Sequence, residues 1–365
     1  MAEKRNYGVD ALRILAMYMI VVLHVLGQGG ILDAVQRGTG QYSPAWFMEI
    51  ASYCAVNCYA LISGYVGVKS RFRMSNILYL WLQVVFYGLI AAWVLGKVMP
   101  QKVPSFAWKQ ALIPVSNNNY WYYTAYFAMS FFIPLMNALL NSVSQRELKL
   151  ALCSAFVVFS VYPTILQADR FNLHEGYSVW WLMMLYLTGG YIRLYGAESC
   201  LYAFCKRHGI VVYSIATTAI WLTDMLIGDN IIPFIFGGTL KPDFLIGYTS
   251  VFVVIQAIAL LILFAEWKPS RRITKYIAFA APLTFGVYLI HCNPYVFGEV
   301  LADAFACMAS IHPVALVPAV MLAAFGVFTA CVLIDWVRMK LFTAARVKNA
   351  CRWLFETIER CMNMI

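Results

Sequence analysis

Charge is what this sequence has least of. Charged residues make up 12% of the 365 and hydrophobic residues 62%, and a soluble domain carries about twice that charged share. So little polar surface cannot cover a water-soluble globule, which excludes an ordinary soluble enzyme or binding module and leaves the bilayer as solvent. Alternating apolar and polar positions are missing too, which excludes a transmembrane β-barrel. No Cys-x-x-Cys occurs among the ten cysteines. Most of them lie inside apolar runs or beside basic loops, so neither a disulfide framework nor a metal site is expected. Cys54 and Cys58, four apart on one helix face, read as packing. No internal repeat is visible. The longest segments between apolar runs, Gly96 to Asn119 and Gly228 to Ile246, are rich in Pro, Gly or Asn and read as loops too short for separate domains. A signal-peptide cleavage pattern is also missing, so the basic start and the apolar run after it read as an uncleaved signal anchor.

What is present is a series of apolar runs near the length of about 20 residues that a spanning helix needs. Ten are expected: Val9 to Leu26, Pro44 to Val66, Ile77 to Leu95, Tyr120 to Leu140, Leu148 to Leu166, Val179 to Leu194, Gly209 to Ile227, Gly247 to Phe264, Ala278 to Phe297 and Pro313 to Val337. Helices satisfy their own backbone in lipid. The fold class is therefore all-α, a polytopic membrane helix bundle, with residues 1–337 as one membrane domain. The remainder, 338–365, mixes basic residues with Met339, Leu341, Phe342, Trp353 and Leu354. It reads as a basic amphipathic tail on the inner leaflet.

With the N-terminus in the cytoplasm and loops assigned alternately, all but six of the 27 lysines and arginines fall on the cytoplasmic side. The six are Arg37, Lys97, Lys102, Lys109, Arg170 and Lys241. That bias fits ten spans with both termini cytoplasmic. The net charge of +10 is accounted for by topology and attraction to anionic lipid, and calls for no nucleic-acid partner.

The first run, "DALRILAMYMIVVLH", begins with an acid and an arginine and ends on a histidine. Arg13 and His24 are eleven residues apart, so they face within about 20° of one another and lie about 16 Å apart along a helix axis. Asp10, three residues before Arg13, can pair with it. No Gly or Pro interrupts the helix between Leu12 and Leu26. Ionisable groups stacked on one face of a span point to a bundle interior or a wet passage. Cationic and basic groups at opposite ends suit a channel for a charged donor. A transporter or flippase for a small polar solute or lipid-linked precursor stays open as the second reading, although a transporter usually has a midplane site with broken helices.

"VDALRILAMYMIVVLH" resembles the first span of acyltransferase family 3, integral membrane enzymes that acylate cell-surface glycans and related molecules. The family's Arg or Lys, ten residues, then His is matched by Arg13 and His24. "LISGY", Leu61 to Tyr65, is similar to its Ser-Gly-Tyr motif. The aromatic run "YWYYTAYFAMSFFIPLMNALL" and "FGVYLIH", Phe285 to His291, resemble two further motifs, and all four occur in family order. Many members carry a glutamate-containing motif in the aromatic span, where Tyr122 to Tyr126 stand here.

The resemblance implies a multi-pass protein of a bacterial plasma membrane that moves an acyl group, acetyl being the expected one, from cytoplasmic acyl-CoA to a hydroxyl of a cell-envelope glycan or lipid-linked precursor. It implies no tightly bound cofactor, with acyl-CoA (acetyl-CoA) as co-substrate. Arg13 is then expected on the CoA phosphates by bidentate contact, held by Asp10, with Ser63, Gly64, Tyr65, Lys69, Arg71 and Arg73 at the same level. His24 is expected as general base near the thioester, its ordinary pKa of about 6.5 suiting that task, or as the nucleophile of an acyl-histidine. His291 is a second catalytic candidate, for the acceptor or an oxyanion. Asn118, Asn119, Tyr120 and Trp121, beside Asn117, are the expected acceptor residues. Asp224, His174 and Glu175 are further external acids and bases.

Overall fold

The first apolar run becomes the helix around which the others gather. The computed structural model describes residues 5–227, 232–233, 239–240 and 243–362. Lys4, Lys241 and most of the expected loop from Gly228 to Ile246 lie outside them. In chain order the helices are α1 Tyr7–Leu26, α2 Ile31–Ala34, α3 Tyr42–Ser52, α4 Ala55–Gly67, α5 Met74–Val98 and α6 Ala107–Leu112. Next come α7 Trp121–Ser130, α8 Ile133–Ser142, α9 Gln145–Phe156, α10 Tyr162–Leu166, α11 Val179–Tyr195 and α12 Cys200–Ile227. The last are α13 Val251–Glu266, α14 Arg271–Ala280, α15 Thr284–His291, α16 Pro313–Ala344 and α17 Val347–Met362. A two-residue antiparallel pairing, Ile232–Pro233 with Thr239–Leu240, is the β structure among the described residues.

α1 is capped by Asn6, whose side chain accepts from the Gly8 and Val9 amides, satisfying two of the free N–H groups at a helix start. It packs against α3, α4, α13, α14, α15 and α16. Of its most apolar stretch 72% is buried, against 11% for the stretch spanning α9 and α10, so α1 is interior and α9–α10 peripheral.

All ten expected runs fall on helix, but fewer are separate spans by length and composition. Among the described residues, seven helical stretches are long and apolar enough to cross a bilayer, and eight if the bent pair α7–α8 is one span. α7 and α8 meet at 58°. Pro134, at the start of α8, has no N–H to carry the ladder through the join, which explains why one expected span is two helices. The remaining two runs became α11 and α13, of 17 and 16 residues. At about 1.5 Å per residue each falls short of a hydrocarbon core of about 30 Å. Both pack inside other helices: α11 against α4, α7, α8 and α9, and α13 against α1, α4 and α12.

The α4–α11 contact is a reciprocal exchange of glycines. A Cβ on Gly64 would lie 1.8 Å from the Tyr186 carbonyl oxygen, and one on Gly189 would lie 2.0 Å from that of Leu61. The two backbones touch because neither residue has a side chain, the usual basis of close helix approach in membranes.

α16 continues through the expected boundary at Val337. Arg338, the first residue assigned to the tail, is 3% exposed. Its Nε and Nη2 donate to the two carboxylate oxygens of Asp335 at 2.8 and 2.6 Å, and Tyr87 donates its hydroxyl to the same carboxylate at 2.7 Å. The pair ties the end of α16 to α5, and the amphipathic segment proper is α17, packed on α5 and α16. Removing one partner of a buried pair leaves an uncompensated charge. Asp335→Ala is therefore expected to cost about 3–5 kcal/mol, while the double change Asp335→Leu with Arg338→Leu recovers most of that loss. Thermal unfolding in detergent distinguishes them, and equal midpoints for the single and double variants would contradict the pairing.

Candidate active site

One face of α1 forms a wall of a cavity of about 730 Å³. Met17, Ile20, Leu23 and His24 line it as a helical stripe of about 10 Å along the axis, continued past the helix end by Gly27 and Gln28. The opposite walls are aromatic. Tyr53 and Tyr59 come from α3–α4, Trp121 and Tyr122 from α7, Tyr177 and Tyr248 from the segments before α11 and α13. The exposed Asn117, Asn118 and Tyr177 mark the open end. Asn118 has φ of 48°, a left-handed turn that asparagine tolerates, and it swings the chain into α7.

His24 sits in the last turn of α1 and faces this cavity. Behind it lies His291, 1% exposed and absent from the cavity lining. His291 Nδ1 is 2.6 Å from the Val287 carbonyl oxygen, one turn earlier in α15, and its Nε2 is 3.0 Å from His24 Nδ1. A carbonyl only accepts, so His291 carries its proton on Nδ1 and presents a lone pair at Nε2. His24 Nδ1–H donates to that lone pair, which fixes the tautomer of His24 and leaves its Nε2 as an acceptor. The edge of the Phe297 ring contact, with centroids 5.0 Å apart, holds the imidazole from the side. The chain of two imidazoles and one carbonyl therefore presents a single basic nitrogen.

Cys292 Sγ lies 3.3 Å from His291 Nε2 and 3.6 Å from His24 Nδ1. These three ligand-type atoms lie within 4.8 Å of one another, a cluster that the cysteine spacing did not disclose. Two nitrogens on one tetrahedral zinc stand about 3.3 Å apart. Here they are closer, and the lone pair a metal needs is taken up by the hydrogen bond. The geometry is that of a hydrogen-bonded relay of imidazoles ending on a carbonyl.

At the other end of the stripe, Arg13 Nη1 donates to Asp10 at 2.9 Å, and Arg5 binds the second oxygen of the same carboxylate. Tyr59 donates to the Arg13 carbonyl at 2.8 Å. The Arg13 side chain is 30% exposed. It lies one helical turn below Met17, and Tyr59 and Tyr122 belong both to its surroundings and to the cavity floor. Arg13 itself does not line the cavity.

The expected residues thus divide. His24, Asn118, Asn119, Tyr120 and Trp121 are all on the cavity wall. The Tyr120 hydroxyl is engaged in structure, donating to Leu289 at 2.9 Å and accepting from Asn293 at 3.0 Å. Ser63, Gly64 and Tyr65 lie outside the lining. Ser63 bonds back to the Tyr59 carbonyl, Gly64 meets Tyr186, and the Tyr65 hydroxyl accepts from Arg193 at 3.3 Å. Lys69, Arg71 and Arg73 are exposed after α4. Asp224 is paired with Arg37 at 2.8 Å, and His174 and Glu175 are exposed in a turn. Missed from sequence were Glu49, Tyr53, Tyr177, Tyr248 and Cys292. Glu49 had a visible signal, an acid inside an apolar run.

Fold and site together define a polytopic membrane protein with a histidine-centred cavity enclosed among its helices. The family model of the acyltransferase domain matches residues 6–336, and the chain belongs to that family of membrane acyltransferases. No curated protein and no solved structure matches it. The relay predicts that dialysis against EDTA leaves the unfolding midpoint unchanged. A fall in midpoint that zinc reverses would replace the relay with a metal centre.

Proposed function

We propose that the protein transfers an acyl group, acetyl in the simplest case, from acyl-CoA on the cytoplasmic side to a hydroxyl of a cell-envelope glycan or its lipid-linked precursor. The observation that carries this reading is the free Nε2 of His24, aimed into the cavity with its other nitrogen locked by His291. In the reaction the acceptor O–H gives its proton to that Nε2 as the oxygen attacks the thioester carbon. The tetrahedral intermediate then expels the CoA thiolate, which takes the proton back from His24. Acceptor ester and free CoA are the products. His291 is a positioning residue, holding the tautomer and sharing the positive charge while His24 is protonated.

The donor enters from the Arg13 end. The guanidinium, oriented by Asp10, meets the phosphate-bearing head of CoA, with Lys69, Arg71 and Arg73 adding positive charge. The pantetheine arm follows the α1 stripe past Tyr59 and Tyr122 to His24, and its reach matches the separation of about 16 Å between the two ends. The buried Tyr122 hydroxyl has no hydrogen-bond partner and suits a carbonyl of that arm. For the transport reading, the α7–α8 bend lies outside the cavity lining, whereas the α3–α4 break at Tyr53 borders it.

The test is acyl-CoA turnover by purified protein, with mass spectrometry of envelope glycans from cells carrying each variant. His24→Ala is expected to lose at least about 10²-fold in turnover. His291→Leu loses a similar factor, and His291→Gln, which can still accept from His24 Nδ1, recovers part of it. An active His24→Ala enzyme would end the proposal, and acyl-His24 trapped with donor alone would replace the general-base step by a covalent one. Arg13→Ala is expected to raise KM for acyl-CoA about tenfold or more with a smaller change in kcat, the behaviour of a group that binds donor equally in ground and transition states. A change confined to kcat would contradict a phosphate role.

A further inference from the structure

Four carboxylates lie within the ten apolar runs: Asp10, Glu49, Asp224 and Asp335. Three are matched by arginine. Asp10 lies between Arg5 and Arg13, Asp224 is held by Arg37, and Asp335 by Arg338. Glu49 is the exception. Its Oε2 is buried and has no hydrogen-bond partner, and no cation pairs with it among the described residues. Isolated burial of a carboxylate is expensive, and this fold avoids it at every other position.

Glu49 lines the same cavity as His24. Beside it stands a continuous aromatic wall. Trp121 and Tyr177 have centroids 4.4 Å apart, Tyr177 and Tyr248 5.0 Å, and Tyr53 and Tyr248 4.9 Å. Glu49, Tyr53 and Tyr248 all line this cavity. No lysine or arginine lines this cavity among the described residues. A carboxylate and the negative faces of aromatic rings attract the same kind of ligand, a cation. An anionic group is repelled by both, and a neutral hydroxyl gains from the carboxylate alone.

We infer that Glu49 and this aromatic wall are a binding site for an ammonium group carried by the acceptor. The inference rests on the acyl-transfer reading and names its acceptor class: an amino alcohol such as an amino sugar, bound through its charged amine. The amine stays protonated against Glu49 and is not a nucleophile. A neighbouring hydroxyl of the same molecule faces His24 and is the group acylated, so the site selects O-acylation over N-acylation.

The test uses the full-length protein in detergent without any acyl donor, so its outcome does not depend on whether transfer occurs. Glucosamine and glucose, which differ by one ammonium group, are titrated by calorimetry into wild type, Glu49→Gln and His24→Ala. Wild type and His24→Ala are expected to prefer glucosamine, and Glu49→Gln to lose that preference by about tenfold or more. The ligand-free Glu49→Gln protein keeps or raises its unfolding midpoint, since it loses a buried carboxyl that has no partner, in contrast to Asp335→Ala. Three results each overturn the inference: no glucosamine binding, equal binding of glucose by wild type, or an undiminished preference in Glu49→Gln. A midpoint of Glu49→Gln that falls as far as that of Asp335→Ala would also overturn it, because Glu49 would then have a structural partner.

Discussion

A charge inside an apolar bundle needs a partner before the helices can close over it, and that requirement organises this molecule. The described interior contains few ionisable groups, and almost all are matched at short range. Asp335 and Arg338 are one turn apart on α16, Asp10 and Arg13 one turn apart on α1, and Arg37 reaches Asp224 from a distant segment. Imidazoles obey the same requirement in neutral form, His24 resting on His291 and His291 on a backbone carbonyl. Where the matching is complete, the group supports the fold. Where it is left open, at His24 Nε2 and at Glu49, the open valence faces the cavity. Structure and chemistry are divided by whether a partner is supplied from within.

The division depends on α1 being straight and central. A helix without Gly or Pro between Leu12 and Leu26 keeps one stripe in register from Arg13 to His24, so the two ends of the polar path cannot rotate away from each other. Glycines elsewhere bring the other walls close. Besides the α4–α11 exchange, a Cβ on Gly286 would lie 1.9 Å from Asp335, so α15 lies directly on α16 and carries His291 to His24. The packing of a buried ion pair thereby sets the position of the relay.

The helical class and the chemistry-bearing residues of α1 were legible in the sequence, because apolar runs and a 3.6-residue period are local properties. The pairing of Asp10 with Arg13 and the aromatic mouth at Trp121 were legible for the same reason. The partners of Ser63, Gly64 and Tyr65 were not. Gly64 is occupied by a carbonyl from a helix more than a hundred residues on, and nothing local announces that contact. The bend at Pro134 left a proline as its trace, but the count of spans depended on whether short apolar helices lie inside others, as α11 and α13 do. Glu49 stood in plain view as an acid in an apolar run. Its distinguishing property is the lack of an arginine that its three counterparts possess, and that is known only once all four have been placed.

The electrostatic polarity of the cavity then follows from the chain's direction. The guanidinium of Arg13 stands near the N-terminal end of α1, outside the cavity lining, and Glu49 lines the cavity, so on the proposed reading a phosphate-bearing donor and an ammonium-bearing acceptor would be drawn to different groups. His24 lies in the last turn of α1, where the unpaired carbonyls of a helix terminus favour positive charge. In the proposed transfer an imidazolium at His24 would therefore form where the backbone stabilises it, with the lone pair of His291 sharing its charge through Nδ1–H. A histidine placed a turn earlier would keep the stripe but lose the helix terminus, and one without His291 behind it would lose its fixed tautomer. Position on the helix and partner behind the ring are thus two separate conditions on one base, and this fold meets both with residues that also hold its core together.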